Sequence, residues 1–265
     1  MTLMIFNAEN TTSEPKKFRY PIQKTEACRQ VSLPVQGLEH LHISASGQFA
    51  ENHIPFIQKA AGGRPVIIVD LRQESHGFMD GHAISWHVPR NWINAEKTDG
   101  QAAEDELQRL KQLSDEKEAI ISRVKRKDEE AGTIVEKEDI TLPVHHVLTE
   151  EKLVQSYRCG YQRFYVTDHS CPSEEVVRQF FNFFGQLPRD AWLHVHCSAG
   201  MGRSTTFMTM VDMLHCARNL SLEDIVQRQA VINQYDLFGA KEGWKQPYAE
   251  ARAAFIRQFY QQVKQ

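Results

Sequence analysis

The sequence carries no excess of positive charge and no long apolar run. Its 31 Lys and Arg residues against 34 Asp and Glu leave a formal net charge of -3. No global basic field therefore indicates a nucleic-acid partner. No apolar stretch has the length of a membrane-crossing helix. The first six residues are apolar but lack the charged leader of a secretory signal, so we expect neither a visible signal peptide nor an integral membrane segment.

Cysteines are few and poorly arranged for crosslinking or metal binding. The chain has five, an odd number with irregular spacing, which is a poor disulfide framework. No C-x-x-C pair suggests a structural zinc site, and we expect neither a metal nor another cofactor. A reducing compartment is the expected location, because a reactive cysteine requires a free thiol. The five positions are Cys28, Cys159, Cys171, Cys197 and Cys216.

The order of apolar and amphipathic segments predicts an α/β fold with a central sheet flanked by helices. Residues 65–71 form a continuous apolar run, typical of a strand buried on both faces. Residues 72–77 follow as the loop at its carboxyl end, where open α/β sheets bind ligands. Ser173 is placed to cap a helix. Further strands are predicted at 163–167 and 192–196, and helices at 173–187, 204–215, 221–231 and 244–262.

The first half of the chain contains two less regular stretches. Residues 1–25 are polar and predict an extended lead-in. Residues 101–131 are highly charged, with an apolar stripe that predicts one long helix continuing through Val124. Residues 132–150 are β-rich. We therefore expect a small inserted β-rich domain with a charged helix at 91–150, interrupting a main domain formed by 1–90 and 151–265.

A glycine-rich turn between strand and helix carries the strongest signal of chemistry. Residues 196–204 read His-Cys-Ser-Ala-Gly-Met-Gly-Arg-Ser. Gly200 and Gly202 permit unusual backbone dihedrals, so successive N–H groups can point inward and bind an anion. The helix that follows directs its positive end to the same place. The backbone donors expected around a phosphate belong to Ser198, Ala199, Gly200, Met201 and Gly202.

The side chains of this loop suit nucleophilic attack on phosphate. Inward N–H groups and a helix N-terminus favour the thiolate form of Cys197, which is the reactive one. Ser204 can donate its hydroxyl to that sulfur. Arg203 offers a planar fork for two phosphoryl oxygens, which lysine cannot reproduce. His196, directly before the nucleophile, completes the expected catalytic set on this loop.

A second loop supplies the expected general acid. Asp168 follows a predicted strand and precedes the Ser173 helix. It can protonate the leaving oxygen and then act as base on the hydrolytic water. An isolated aspartate in this position more often caps a turn, but its combination with the cysteine loop favours the acid.

The two loops together resemble those of the protein tyrosine phosphatase superfamily. A longer pattern, from about Phe18 to Tyr260, is similar to the bacterial cysteine phytases, which are tyrosine-phosphatase-like inositol polyphosphate phosphatases. The resemblance implies a phosphatase core with an inserted β-barrel-like domain, a phosphocysteine intermediate and a highly phosphorylated small-molecule substrate such as phytate. With no visible signal peptide, we expect either a cytoplasmic protein or a secreted effector. The segments that carry the resemblance are 65–77, 84–86, 91–94, 165–169, 190–197 and 228–229.

The same resemblance assigns roles to residues outside the cysteine loop. Asp168 matches the general acid, while His169 and Asp70 match positions that face the substrate or position the site. Arg19, Lys241 and Lys245 match basic substrate contacts. Either Gln229 or Gln234 could orient the hydrolytic water.

One residue of the loop leaves the substrate open. Many cysteine phytases have glutamate directly after the nucleophile, whereas this chain has Ser198 and reads as protein tyrosine phosphatases do. A protein tyrosine phosphatase and a phosphoinositide phosphatase are therefore alternatives with the same chemistry. Different classes are a rhodanese-like sulfurtransferase, an inactive binding module, and a zinc enzyme built on His194, His196 and Cys197.

Overall fold

The computed structural model describes residues 2–265. Its helices and strands alternate through most of the chain, as the sequence predicts. The strands are β1 Leu3–Ala8, β2 Ile43–Ser46, β3 Val66–Arg72, β4 His76–Met79, β5 His82–His87, β6 Glu118–Lys127, β7 Ile134–Pro143, β8 Val147–Leu148, β9 Gly160–Val166 and β10 Trp192–His196. The helices are α1 Thr25–Gln30, α2 Ile54–Ala60, α3 Asp99–Ser114, α4 Glu150–Ser156, α5 Glu174–Gly185, α6 Gly202–Cys216, α7 Leu222–Asn233 and α8 Gln246–Lys264.

A parallel sheet lies at the centre of the fold. Its strand order is β2-β10-β3-β9, and each neighbouring pair is parallel. The register places His196 of β10 opposite Asp70 of β3. Because parallel strands end at the same edge, the loops after β3, β9 and β10 leave the sheet side by side. This carboxyl edge is where such sheets bind ligands.

The helices that cover this sheet agree with the sequence pattern. Ser173 caps α5, since its hydroxyl accepts a hydrogen bond from the backbone N–H of Val176. Phe180 of α5 packs edge-on against Phe207 of α6, with ring centroids 5.3 Å apart. Helix α6 is buried on nearly all faces, as its apolar composition predicts. None of the described helices combines the length and apolar character needed to cross a bilayer.

A second sheet lies beside the first, with strand order β7-β6-β1-β5-β4-β8. Three of these strands, β1, β4 and β5, precede residue 91, so the sheet extends beyond the predicted insertion at 91–150. In the part of the chain that the structure describes, the order runs between two edge strands, β7 and β8. The barrel-like closure that the resemblance implied is therefore not confirmed. The division into two domains stays a prediction.

Two expectations about local structure are wrong. The lead-in at 1–25 contains β1, which pairs with both β5 and β6. The charged helix ends at Ser114 instead of continuing to Val124, and β6 takes its place. The side chains there alternate, with Ile121 buried and Ile120 61% exposed. A period of two fits a strand, and pairing with β7 and β1 outweighs the helical spacing of the preceding leucines.

Candidate active site

The cysteine loop joins β10 to α6 and folds tightly against the turn after β2. Gly200 has φ +70°, a conformation that glycine adopts without strain. A Cβ placed there would lie 2.3 Å from the backbone nitrogen of Gly47. The N–H of Gln48 donates to the carbonyl of Ser198 at 3.1 Å. Gly200 is therefore required both for its dihedrals and for the close approach of the two backbones.

The thiol at the start of this loop is almost enclosed. Cys197 is 3% exposed and lies at the carboxyl end of β10. The hydroxyl of Ser204, in the first turn of α6, donates to Sγ at 3.3 Å. The predicted contact between the two side chains is present. Such a donor stabilises a thiolate, both before attack and when the sulfur leaves.

The guanidinium of Arg203 is fixed by a residue that the sequence interpretation missed. Glu74, in the loop after β3, accepts from Arg203 Nη1 at 2.7 Å and from Nη2 at 2.9 Å. Nη1 also donates to the carbonyl of Val166 at 2.9 Å. The Nε atom is buried and has no hydrogen-bond partner among the described residues. An unsatisfied buried donor is costly, and an oxyanion bound at this loop would satisfy it.

Glu74 also holds a second arginine, which makes the pair a small network. Its Oε1 accepts from Arg72 Nε at 2.8 Å. Burial disfavours the charged carboxylate, but Arg203 and Arg72 outweigh it and hold the pKa of Glu74 well below the ordinary range. The signal that could have found Glu74 was its place in the loop at the carboxyl end of a buried strand. Nothing local indicated its partner.

Asp168 lies at the same site. Its Oδ1 is 3.0 Å from Arg203 Nη2, and its Oδ2 accepts from Asn91 Nδ2 at 3.1 Å. The carboxyl group and the thiol line one cleft of about 390 Å³. The predicted residues His169, Lys241 and Lys245 line it as well, together with Ala199, Met201 and Gly202 of the cysteine loop.

A second cleft, of about 350 Å³, also borders the cysteine loop. Ser198 and Ala199 form part of its wall. Its cationic lining was missed from the sequence, where Lys16 and Lys17 were taken as part of a polar lead-in. Arg123 and Lys127 come from β6, which the sequence interpretation took for a helix. The cysteine loop therefore contributes to two clefts that both contain basic side chains.

Comparison with known proteins decides between the classes that the sequence left open. A family model for PTP-like phytases, described by the words inositol hexakisphosphate, matches residues 69–215. The match covers more than half of the chain and contains the cysteine loop and Asp168. The chain belongs to the PTP-like phytase family. This family consists of cysteine-dependent phosphatases, which disfavours the sulfurtransferase and zinc alternatives.

Solved PTP-like phytases share the fold over the whole chain. The PTP-like myo-inositol phosphatase of Mitsuokella multacida, solved with myo-inositol-(1,3,4,5)-tetrakisphosphate, has a TM-score of 0.90 and 31% identity, covering 99% of this chain and 45% of that one. A PTP-like phytase from Bdellovibrio bacteriovorus has a TM-score of 0.80 and 28% identity, covering 100% of this chain and 89% of that one.

A bacterial effector is similar in sequence to this chain. Effector protein hopD2 of Pseudomonas syringae pv. tomato is 32% identical over 242 residues, which is 87% of this chain and 50% of the effector. The chain thus spans about half the length of the effector and of the Mitsuokella protein.

Two of the predicted substrate contacts are buried and hydrogen-bonded within the fold. Arg19 is 4% exposed, and its Nε donates to Asn233 Oδ1 at 2.7 Å. Asp70 has no exposed surface and accepts from the hydroxyl of Tyr161 at 3.0 Å. Their roles as substrate contacts stay predictions. The other expectation for Asp70, that it positions the site, fits its place beneath the cysteine loop.

His196 is likewise enclosed, and its catalytic role stays a prediction. Its side chain is fully buried, and its Nε2 lies 2.6 Å from Glu150 Oε1. The hydrogen bond anchors the residue directly before the nucleophile to the first turn of α4. Its Nδ1 has no partner within residues 2–265.

The buried groups beneath the site are balanced in charge. His76 lies 3.2 Å from Asp70 and 3.5 Å from Glu150. Burial and Arg72 disfavour its charged form, but Asp70 and Glu106 outweigh them and raise the pKa of His76 to about 9. Asp70, His76 and Glu150 also form the one described group of side chains whose ligand atoms lie close enough to share a metal ion. The network consists of the carboxylates Asp70, Glu74, Glu106 and Glu150 and the cations Arg72, Arg163, Arg203 and His76.

The two glutamines considered for orienting the hydrolytic water differ in exposure and in hydrogen bonding. Gln229 is 1% exposed, donates to Asp212 at 2.7 Å and accepts from Asn233 at 2.8 Å. Its amide is thus committed to the packing of α6 and α7. Gln234 is exposed and ends α7 with φ +51°. The role of Gln234 stays a prediction.

Proposed function

We propose that this protein hydrolyses the phosphate monoesters of inositol polyphosphates through a phosphocysteine intermediate. The observation that carries the proposal is the meeting of the Cys197 thiol, the Asp168 carboxyl and two lysines in one cleft. Arg203 lies against Asp168, with an unsatisfied Nε beside the loop. Nucleophile, acid and phosphate ligand are thus within reach of one phosphoryl group.

In the first half-reaction the Cys197 thiolate attacks phosphorus, and the bond from phosphorus to the ester oxygen breaks. Asp168 gives its proton to that oxygen, so the inositol leaves as an alcohol. The phosphoryl group stays on sulfur. Arg203 and the backbone N–H groups of the loop stabilise the charge that spreads over its equatorial oxygens.

In the second half-reaction water attacks the phosphocysteine. Asp168, now a carboxylate, takes a proton from the water, and the bond between phosphorus and sulfur breaks. The thiolate that leaves accepts a hydrogen bond from Ser204, whose hydroxyl lies 3.3 Å from Sγ. Phosphate is released and the enzyme returns to its first state.

The two basic clefts that border the cysteine loop support a polyanionic substrate. Several of their cations have no acidic partner: Lys16, Lys127 and Lys241 form no ion pair within residues 2–265, whereas Lys245 is paired with Glu129. Unpaired cations attract anions through the low-dielectric walls of a cleft. A monoester with one phosphate needs few of these charges, while an inositol ring with several phosphates uses both clefts.

The test compares rates on inositol hexakisphosphate, a phosphotyrosine peptide and a phosphoinositide. We expect the highest kcat/KM on the inositol phosphate and loss of turnover on all three in Cys197→Ser. A preference for the peptide would instead favour a protein tyrosine phosphatase, the reading that Ser198 suggests. A preference for the lipid would favour a phosphoinositide phosphatase.

A charge-removal series sharpens this comparison. Lys16→Gln and Lys241→Gln should raise KM for inositol hexakisphosphate while leaving kcat on nitrophenyl phosphate unchanged. Lys59→Gln, at an exposed position of α2, is the matched control. If neither cleft variant differs from this control, a polyanionic substrate is not bound as proposed.

We also infer that the protein acts as a secreted effector in a reducing compartment. The similarity to an effector supports this, as do five cysteines that are all free. A translocation reporter fused to the chain should enter host cells from the bacterium that makes it. Retention of the reporter in the bacterium would contradict secretion and favour a cytoplasmic enzyme.

A further inference from the structure

The loop that carries Asp168 is held from two sides by side chains of other segments. On one side, the indole Nε1 of Trp92 donates to the carbonyl of Asp168 at 3.0 Å, and Asn91 donates to its carboxylate at 3.1 Å. On the other side, Arg252 of α8 donates to the carbonyl of His169 at 2.5 Å. Both the backbone and the side chain of the acid are therefore fixed by groups outside the loop.

Asn91 reaches the acid from a costly backbone conformation. Arg90 and Asn91 have φ +60° and φ +65°, and two successive residues other than glycine in the left-handed region are rare. The surroundings maintain the turn: the N–H of Arg90 donates to the carbonyl of Gly132 at 3.1 Å. Strain that the fold maintains is typical of functional sites. Here its visible result is the direction of the Asn91 amide.

Trp92 and its neighbour Arg90 both contact Trp244, in the segment before α8. The Arg90 guanidinium lies over the ring of Trp244, 4.5 Å from its centroid, and the rings of Trp92 and Trp244 meet edge to face at 5.8 Å. Trp244 in turn donates to the carbonyl of Glu129, in the turn between β6 and β7, at 2.9 Å. The segment before α8 and the β6–β7 turn are thus joined over the acid loop.

We propose that Asn91 and Trp92 form a clamp that presets Asp168 for proton transfer, with Asn91 as the positioning residue for the acid. An amide suits both halves of the reaction, since it can donate to a carboxylate and, after rotation, accept from a carboxylic acid. A bound phosphoryl group competes with the Asp168 carboxyl group for the guanidinium of Arg203. When Arg203 turns to the phosphoryl group, Asn91 is the side chain that still hydrogen-bonds to Asp168. The clamp rests on the proposed function, because it acts on the acid of that reaction.

The experiment measures kcat/KM against leaving-group pKa for a series of aryl and alkyl phosphates. Asn91→Gly removes the amide yet tolerates the left-handed backbone, so it separates the side chain from the turn. Asn91→Asp keeps the shape but cannot donate. In both variants we expect kcat/KM to fall about 10-fold or more on alkyl phosphates and less than about 2-fold on nitrophenyl phosphate. A loss of this size is a fraction of what a general acid contributes. Trp92→Phe should show a smaller change of the same kind.

Asn219→Gly, at an exposed turn after α6, is the matched control and should follow the unaltered protein on every substrate. Equal losses on good and poor leaving groups, or none, in Asn91→Gly would overturn the clamp. Hydrogen exchange of residues 167–172 gives a readout independent of turnover. Faster exchange in Asn91→Gly and Trp92→Phe supports the clamp, and unchanged exchange contradicts it. Failure of the proposed function looks different: the unaltered protein would then show no Cys197-dependent turnover.

Discussion

Replacing Glu74 by glutamine tests whether one buried carboxylate both stabilises the fold and aims the phosphate-binding arginine. The carboxylate accepts three charge-assisted hydrogen bonds, two from Arg203 and one from Arg72. Glutamine keeps the size of the side chain and one acceptor oxygen. It turns an NH₂ group toward guanidinium donors and leaves both arginines without their shared counter-charge.

The expected loss of stability follows from this geometry. Glu74 is 1% exposed, and removing one partner of a buried ion pair costs about 3–5 kcal/mol. Because glutamine retains one acceptor, we expect a decrease of about 3 kcal/mol in the free energy of unfolding. For a chain of this size that corresponds to a Tm lower by roughly 6–12 °C. Misplacement of the Arg203 fork should lower kcat by about 10²-fold.

Two measurements check these values. Urea denaturation gives the free energy of unfolding, and initial rates on inositol hexakisphosphate at saturating concentration give kcat. Glu14→Gln, at an exposed position, is the matched control and should change stability by less than about 0.5 kcal/mol. A Glu74→Gln protein that matched this control in both stability and kcat would refute the reasoning. A loss of stability with a normal kcat would show that Glu74 stabilises the fold without aiming Arg203.

Other predictions concern the same site. Asp168→Asn should slow hydrolysis of inositol phosphates by about 10²-fold or more but nitrophenyl phosphate far less, and equal losses would argue against a general acid. Ser204→Ala should slow the second half-reaction, so that rapid-quench experiments show phosphocysteine accumulating; no accumulation would contradict its role at the departing sulfur. Gly200→Ala should abolish turnover, because its Cβ would lie 2.3 Å from the Gly47 nitrogen; full activity would show that the loop tolerates displacement. The pKa of His76 is raised to about 9, which corresponds to a contribution of about 3 kcal/mol to the stability of the fold. This contribution is fully present below the unfolded-state pKa of about 6.5. It is lost as the pH rises through 9. Urea titrations between pH 6 and 10 should show this decline and should show a flatter curve for His76→Gln.

The cysteine loop could be predicted because its chemistry is contiguous. Cys197, Gly200 and Arg203 lie within seven residues, and their spacing alone requires a turn between strand and helix. The acid was harder, since Asp168 is identified only by combination with that loop. Glu74 and Asn91 lie in segments that carry the family resemblance, but no role was assigned to either, because each acts on a partner far away in sequence. Neither has a local pattern that separates it from an ordinary loop residue.

The errors have a similar physical origin. The lead-in expected at 1–25 contains β1, because pairing with β5 and β6 orders that segment. Ile120 and Ile121 continue a helical stripe in the sequence, yet their segment becomes a strand because β7 and β1 offer hydrogen-bonding edges on both sides. Propensity and spacing are weak where tertiary pairing competes with them.

The sequence by itself predicted Cys197 as the nucleophile and Arg203 as the phosphate ligand, and it determined the α/β core, because each depends on residues that are neighbours along the chain. Only the tertiary structure decided which groups hold them. It brought Glu74 under Arg203, Asn91 onto Asp168, and cations from β6 and the amino-terminal segment to the second cleft. Charges and donors from distant segments act together only after the chain has folded, since their interaction depends on distance in space.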